Sequence, residues 1–210
     1  MDTLKYFNEI CCPDSRQTAF ILYNRDTGES RERTLHDHYS AIQDIVLNAV
    51  VPEKIREHFE TTRNLLLYSW YVYRFGPVAE LHAIASVEFA LKVKSGKDKG
   101  GLKRLLDLAI KEEWILDSGF KYCPVIKESL TEYTTDDIYR PDNKPDDPDS
   151  KDLQAYCKIL AKSLPYLRNE MAHGSQMLYP SGTATLAICA DLINQLFKDE
   201  SLITAKMEAL

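Results

Sequence analysis

Apolar side chains recur at intervals of three and four residues over most of this chain, which is the spacing of one face of an α-helix. The segments with this spacing lie at about 52–75, 77–94, 101–116, 150–174 and 183–198, and a shorter one begins near residue 40. No repeat occurs at the periods typical of solenoids. The pattern therefore predicts an all-α antiparallel bundle of four or five long helices with mostly short connections.

Several residues predict where these helices begin, bend or end. Ser40 is the expected N-cap of the shorter helix, and Ser150 is the expected N-cap of the segment that reaches residue 174. Pro165 should kink that segment. The apolar face of the shorter helix would contain Ile42, Ile45, Val46 and Ala49.

Two stretches do not have helical periodicity. The first forty residues fit either two short strands around residues 24–28 or an irregular arm, and both alternatives stay open. Residues 141–150 contain three prolines and four aspartates, which predicts a long surface loop at about 117–150. We therefore divide the chain into an N-terminal arm with the first helix, 1–54, and a helical bundle, 55–210.

Composition limits the cellular context and the partners. The chain has 26 Lys and Arg against 32 Asp and Glu, so a surface that binds nucleic acid would have to be local. The N-terminus lacks the features of a signal peptide, and the longest apolar stretch, 65–73, is too short to span a membrane. We expect a cytoplasmic protein without a membrane partner. Five cysteines without C-x-x-C spacing suggest reduced packing residues.

One polar motif interrupts the apolar pattern near the end of a predicted helix. It runs from Leu167 to Gly174 and contains Arg168, Asn169 and His173. Arginine offers a permanent charge and a planar fork that matches phosphate oxygens, whereas histidine titrates near neutral pH and can transfer a proton. On a helix, Arg168 and His173 lie about 140° apart around the axis. The combination fits cleavage of a phosphodiester bond.

This motif resembles the R-x(4–6)-H signature of the HEPN domain superfamily, which consists of small all-α bundles. The polar residue that the signature favours after the arginine is here Asn169. The segments 85–92 and 101–106 are similar to the early helices of such domains, so the resemblance covers about residues 55–198. Arg31 with His36, and Arg33 with His38, have the same spacing but lie in the stretch without helical pattern.

The resemblance implies a metal-independent endoribonuclease with no cofactor. Family members pair through the helix that carries the motif, so we expect a homodimer with one composite cleft. His173 would exchange a proton with the ribose 2′-hydroxyl or the leaving 5′-oxygen, Arg168 would stabilise the phosphoryl charge, and Asn169 would orient either group. RNA is the expected substrate. A toxin or phage-defence role, with an antitoxin protein as a possible partner, follows by analogy.

Further charged residues are candidates for supporting roles. The segment 92–104 has a dense positive charge, and its expected RNA-contacting residues are Lys92, Lys94, Lys103 and Arg104. Glu88 lies beside an apolar stripe, where an ion pair to the Arg168 helix would explain it. His36 and His38 have the H-x-H spacing of some metal ligands, and His58 lies further along the chain. This arrangement lacks a clear third ligand, so we expect no metal.

A different class of function fits the same residues. The motif could be a remnant that only ends a helix, with a cationic histidine near the negative end of the helix dipole. The chain would then be a non-catalytic helical interaction module or a nucleotide-binding module. Catalysis requires that Arg168 and His173 both line an open cleft, whereas the binding module allows them to be buried or apart.

Overall fold

The computed structural model describes residues 3–97, 99–121, 152–174 and 182–198, and these ranges are mostly helical. Their seven α-helices are α1 (Ser15–Thr18), α2 (Leu35–Gln43), α3 (Glu53–Tyr68), α4 (Phe75–Ser95), α5 (Leu102–Lys111), α6 (Ala155–Ala172) and α7 (Gly182–Phe197). Single 3-10 turns lie at Phe7–Glu9 and Asp117–Gly119. The prediction of a helical bundle is confirmed at this level.

The N-terminal stretch contains a small hairpin. Strand β1 (Ile21–Tyr23) pairs antiparallel with β2 (Ser30–Glu32), with Ile21 opposite Glu32. The Asn24 side chain accepts the N–H of Asp26, and Gly28 has a φ of 74°, which favours glycine over other residues. Of the two alternatives for the first forty residues, the structure adopts the pair of strands around 24–28, and the description as an irregular arm is wrong.

The N-cap of helix α2 is Thr34, six residues before the predicted N-cap. Thr34 Oγ1 accepts the N–H of Asp37, and the Asp37 carboxylate accepts the N–H of Thr34. This reciprocal pair is a capping box, and it satisfies two N–H groups that would otherwise lack partners. The prediction that Ser40 caps this helix is therefore wrong, and Ile45, Val46 and Ala49 lie beyond its end.

Helix α3 ends at Tyr68 and does not continue to about residue 75. The turn that follows is bound by the N-terminal segment: Asp14 donates its N–H to the Trp70 carbonyl (2.9 Å) and accepts the N–H of Tyr73 (3.2 Å). The Arg16 guanidinium beside Asp14 holds the pKa of that carboxyl at about 2. The N–H and the carboxylate of Asp14, which is remote in sequence, thus bind backbone groups that a longer helix would need.

Helix α4 occupies the centre of the bundle and packs against α3, α5, α6 and α7. Its buried apolar side chains include three alanines, which let the neighbouring helices approach closely; the apolar set is Ala79, Ala83, Ile84, Val87, Ala90 and Leu91. The helix ends at Gly96, which adopts the left-handed conformation with a φ of 64°, as is common for a glycine after a helix.

Helix α6 receives its N-terminal cap from a residue far away in sequence. The buried Asp117 carboxylate accepts the N–H groups of Tyr156 and Cys157, both at 2.9 Å. A carboxylate at this position also faces the positive end of the helix dipole. The helix then continues through Pro165 to Ala172. The predicted cap at residue 150 and most of the predicted loop at 117–150 lie outside the described residues.

A single hydrophobic core contains residues from both sides of the predicted domain boundary. Ile42 and Val51 belong to the same buried cluster as the apolar residues of α3 to α7. The boundary between residues 54 and 55 falls inside the first turn of α3, so it does not separate two packing units in the described ranges. None of the described helices has the length and apolar character that a membrane crossing requires.

The tight contact between Gly119 and Gln195 provides a test of this packing. Gln195 accepts the N–H of Leu116 at 2.9 Å, and a Cβ on residue 119 would overlap its carboxamide. We expect Gly119→Ala to lower the free energy of unfolding by about 1–3 kcal/mol in urea denaturation, because the buried amide must move.

Gly76→Ala is the matched control for this substitution. A Cβ at position 76 would meet no atom within 4 Å, and alanine favours a helix. This variant should be as stable as the wild type or more stable. Equal stability of the two variants would contradict the packing described for Gly119.

Candidate functional site

The end of α6 presents the polar motif to solvent. His173 is the C-cap residue, and its N–H donates to the Asn169 carbonyl at 2.9 Å. Gly174 follows with a φ of 86°, and its N–H donates to the Met171 carbonyl at 3.3 Å. This is the usual way in which a glycine ends a helix. His173 is exposed, so solvent or a ligand can reach its ring.

Arg168 is held by two neighbours while much of its guanidinium stays accessible. Its Nη1 donates to Asn169 Oδ1 at 3.1 Å, and its Nη2 lies 3.7 Å from Glu88 Oε2 on α4. The distance to Glu88 is that of an ion pair without a short hydrogen bond. With 45% of its side chain exposed, Arg168 can still accept an anionic ligand.

Glu88 connects the motif to the positively charged segment. Its side chain is 16% exposed and forms a second ion pair with Lys92, at 2.7 Å. One mostly buried carboxylate therefore has two cations beside it, which compensates for its transfer from water. Glu88 and Lys92 lie one helical turn apart on α4, and Arg168 reaches them from α6.

Within one chain, Arg168 and His173 do not touch. They are five residues apart on one helix, which separates their directions by about 140°. The His173 ring has no hydrogen bond or ion pair to any described residue, and the Asn169 side chain contacts Arg168 and not His173. Arg168, Asn169 and His173 thus lie close together in the described part of one chain, but hydrogen bonds do not join all three into a catalytic triad.

The other expected RNA-contacting cations differ in their surroundings. Lys103 forms an exposed ion pair with Asp107 at 2.7 Å, within α5. Lys94 Nζ lies 6.0 Å from the ring centroid of Trp114. Arg104 is exposed and makes no polar contact to a described residue. Arg104 is therefore the member of this group that a phosphate could engage without breaking a contact within the described ranges.

One face of α6 carries large apolar side chains that are exposed. Tyr166 and Leu167 directly precede Arg168, and Ile159 lies two turns earlier on the same helix. Their exposed fractions are 64%, 38% and 53%. A row of exposed apolar side chains beside a polar motif is typical of a surface that contacts another protein.

Arg33 and His38 have the same spacing as Arg168 and His173 but a different arrangement of their side chains. Arg33 Nη2 donates to His38 Nδ1 at 2.9 Å, so this pair is in direct contact. His38 is 2% exposed, and its Nε2–H donates to the Leu66 carbonyl. It cannot exchange a proton with a ligand in solution. The five-residue spacing is a sequence signal for this pair, but spacing alone does not predict that the two side chains touch.

Two histidines of the structure form a stacked pair. His58 of α3 and His82 of α4 have ring centroids 4.1 Å apart and ring planes inclined by 18°. His58 Nδ1 donates to Ser86 Oγ, because the Ser86 hydroxyl already donates to the His82 carbonyl. Burial lowers the pKa of both rings, and the charge of His58 lowers that of His82 further.

The histidines considered as metal ligands do not come together. His38 is buried, and His58 stacks on His82. His36 is exposed, without a polar contact to any described residue. In the ranges that the structure describes, no three His, Cys, Asp or Glu side chains converge on a possible metal site.

The stacked pair predicts a loss of stability in acid. The unfolded rings take up protons at their ordinary pKa of 6.5, whereas the folded rings resist protonation. The stabilising effect is therefore complete above about pH 6.5 and declines below it. Urea unfolding between about pH 7.5 and 5.5 should show a smaller decline in a His58→Gln/His82→Gln double variant than in the wild type.

His36→Gln is the control for this measurement, because His36 is exposed. It should have the wild-type dependence on pH. An unchanged decline in the double variant would mean that the stacked rings do not resist protonation.

Comparisons with protein-family models, with curated proteins and with solved structures gave no match.

Proposed function

We propose that this chain is a HEPN-type endoribonuclease that cleaves RNA without a metal ion. The observation that carries the proposal is the end of α6, where an accessible Arg168 oriented by Glu88 and Asn169 lies near an exposed His173. These are the groups that the HEPN signature requires. A toxin or defence role, and an antitoxin partner, belong to the same proposal by analogy.

Arg168 would act on the phosphate. A guanidinium can donate two parallel hydrogen bonds to phosphoryl oxygens and keeps its charge at any physiological pH. Because Glu88 and Asn169 already restrict its position, less conformational freedom is lost when it meets the transition state. Stabilisation of developing charge by such a preorganised donor is worth about 3–4 kcal/mol.

His173 would transfer protons. As a base, it takes the proton of the ribose 2′-hydroxyl while the 2′-oxygen attacks the adjacent phosphorus and the bond from phosphorus to the 5′-oxygen breaks. The 5′-oxygen leaves with a proton from an acid, for which a second His173 is the natural candidate. The products are a 2′,3′-cyclic phosphate and a 5′-hydroxyl end. DNA lacks the 2′-hydroxyl and is not cleaved.

A second copy of the chain would complete the site. Arg168 and His173 point in directions about 140° apart on one helix, so one copy presents them poorly to a single phosphate. Ile159, Tyr166 and His173 lie seven residues apart on one stripe of α6, so two helices that bury Ile159 and Tyr166 against each other would bring two histidines to one seam. Arg168 lies about 160° from Tyr166 around the helix axis, so it would reach a phosphate at the edge of that seam. A homodimer therefore explains the exposed apolar face.

The positively charged segment would guide RNA to this cleft. Lys92 is linked to Arg168 through Glu88, and Arg104 is exposed without a polar partner among the described residues. Lys94 and Lys103 add positive charge in the same stretch of sequence. Contacts of this kind attract the RNA backbone regardless of its sequence.

Two observations on Arg168 favour a second candidate function. Glu88 engages Arg168, and His173 does not touch Arg168 in the single chain. If the ion pair to Glu88 only joins α4 to α6, the chain is a non-catalytic helical interaction module whose α6 face binds another protein. The two functions differ in whether purified protein cleaves RNA.

Replacement of His173 tests the proposed chemistry. In the presence of EDTA, wild-type protein should convert labelled single-stranded RNA into fragments with 2′,3′-cyclic phosphate ends. His173→Ala should reduce the cleavage rate by about 100-fold or more, because proton transfer is lost. Arg168→Gln should have an effect of similar size. Gel electrophoresis and mass spectrometry of the fragments measure both.

His36→Ala is the matched control, since His36 is also exposed and makes no polar contact to a described residue. It should keep the wild-type rate. Both histidine variants should differ from the wild type by no more than about 0.5 kcal/mol in the free energy of unfolding. Full activity of His173→Ala would exclude this site, and absence of cleavage by the wild type would favour the interaction module.

Mixed dimers test the composite cleft. Arg168→Gln and His173→Ala should each be inactive alone, whereas a mixture of the two should recover part of the activity. A mixed dimer still holds one intact arginine and one intact histidine, contributed by different copies. Recovery after the two variants are unfolded together and refolded together, measured with the same RNA assay, supports shared sites. No recovery means that one arginine and one histidine from different copies do not form a working site.

Ile159→Asp tests the surface that would form the dimer. We expect this variant to elute as a monomer in size-exclusion chromatography with light scattering and to lose RNA cleavage. Val78→Asp introduces the same charge at an equally exposed apolar position of α4 and should remain dimeric. A dimer of undiminished stability with Ile159→Asp would place the interface elsewhere.

A further inference from the structure

A small cavity lies between the N-terminal segment and the helices that it covers. Its volume is about 50 Å³. Its walls come from the N-terminal segment, the end of α3, the first turn of α4 and the start of α7. The polar lining consists of Gln17, Arg33, His38, Ser69, Tyr73 and Thr183.

Arg33 brings a positive charge to this cavity, and none of its hydrogen bonds to described residues goes to a carboxylate. The guanidinium is half-buried, and its hydrogen bonds go to neutral acceptors, Gln17 Oε1 at 3.2 Å and His38 Nδ1 at 2.9 Å. The Asp37 carboxylate acts on Arg33 only at a distance, because it is paired with Arg31 at 2.6 Å. Burial outweighs this effect and lowers the pKa of Arg33, so the partly buried cation is only partly compensated.

His38 does not add to the charge of the cavity and cannot remove it. The Leu66 carbonyl can only accept, so His38 Nε2 carries the proton and Nδ1 keeps a lone pair for Arg33. Burial, together with the charge of Arg33, lowers the pKa of His38, which keeps the ring neutral. The histidine thus positions the guanidinium and leaves its charge intact.

Donor groups remain for a ligand. A guanidinium has five N–H donors, and the two contacts above use two of them. Thr183 contributes a hydroxyl that donates to no acceptor among the described residues. Gly76 and Pro77, in the first turn of the long helix α4, also line the cavity. The Gly76 N–H already donates to the Tyr73 carbonyl and proline has no N–H, so this turn contributes the helix dipole and no donor.

We propose that this cavity binds a phosphate group, either as inorganic phosphate or as part of a small phosphate monoester, with Arg33 as its principal ligand. The volume accommodates a few water molecules or one tetrahedral anion and excludes a nucleobase. A tetrahedral anion can accept from donors on several walls at once, which a planar carboxylate cannot do equally well.

The proposed site is separate from the one on α6. Pro77 at the cavity and Glu88 beside Arg168 are eleven residues apart on α4, which is about 17 Å along the helix. The proposal therefore does not rest on RNA cleavage, and it can fail or succeed independently of it.

Calorimetric titration of the full chain tests the proposal with inorganic phosphate and with adenosine 5′-monophosphate. We expect one saturable site per chain. Arg33→Gln should weaken the affinity by about tenfold or more, since charge-assisted hydrogen bonds are lost. Arg25→Gln removes the same charge from an exposed position without a polar contact to the described residues, and it should bind like the wild type.

A second pair of variants leaves Arg33 and its structural contacts in place. A side chain that begins at position 76 meets no atom within 4 Å of its Cβ, so either substitution fits. Gly76→Asp puts a carboxylate beside the cavity and should abolish phosphate binding, whereas Gly76→Ala should retain it. This pair keeps the test valid if Arg33→Gln fails to fold.

The two probes show whether the site binds free inorganic phosphate or the phosphate group of a monoester. Binding of both probes supports a site open to monoesters, and binding of inorganic phosphate alone supports a site for the free ion. In either case the binding must depend on position 33 or 76. Absence of saturable binding by the wild type, or equal affinity in Gly76→Asp and Gly76→Ala, would overturn the proposal.

Discussion

Burial of α4 on several sides is the constraint on which the rest of the structure depends. Ala79, Ala83 and Ala90 are fully buried, and their small side chains let α3 and α7 approach the central helix closely. The same helix determines the position of both candidate sites. Its first turn forms part of the cavity beside Arg33, and its later turns carry Glu88, which contacts Arg168.

The sequence predicted where the long helices lie but not where several of them end. Periodicity reports which face of a segment is buried, and it located the middle of α3 to α7. The ends depend on hydrogen bonds from residues distant in sequence, about which periodicity says nothing. Asp14 binds the turn after α3, and Asp117 caps α6 from another part of the chain. The capping box has a local signature, Thr34 with Asp37 three residues later, whereas the apolar spacing that begins at Ile42 points to Ser40.

At the candidate site, too, the sequence predicts the residues of the motif but not the contacts that their side chains make. Helical geometry alone separates Arg168 from His173, and the structure leaves them without contact. The spacing could not distinguish this pair from Arg33 and His38, because four intervening residues occur in both. Tertiary packing makes the difference: the second pair is in contact beside the end of α3, and its histidine is buried. A motif defined by spacing therefore gains meaning only from the exposure of its side chains.

The partners of the two arginines suggest different tasks for them. Glu88 already offsets the charge of Arg168, so a phosphate would have to compete with a carboxylate for the same guanidinium. Such an arginine binds a ground-state phosphate weakly and gains most when negative charge increases, as in a transition state. Arg33 has only neutral acceptors among the described residues, and an anion beside it would relieve an existing electrostatic cost. The first arrangement fits catalysis with turnover, and the second fits retention of a bound anion.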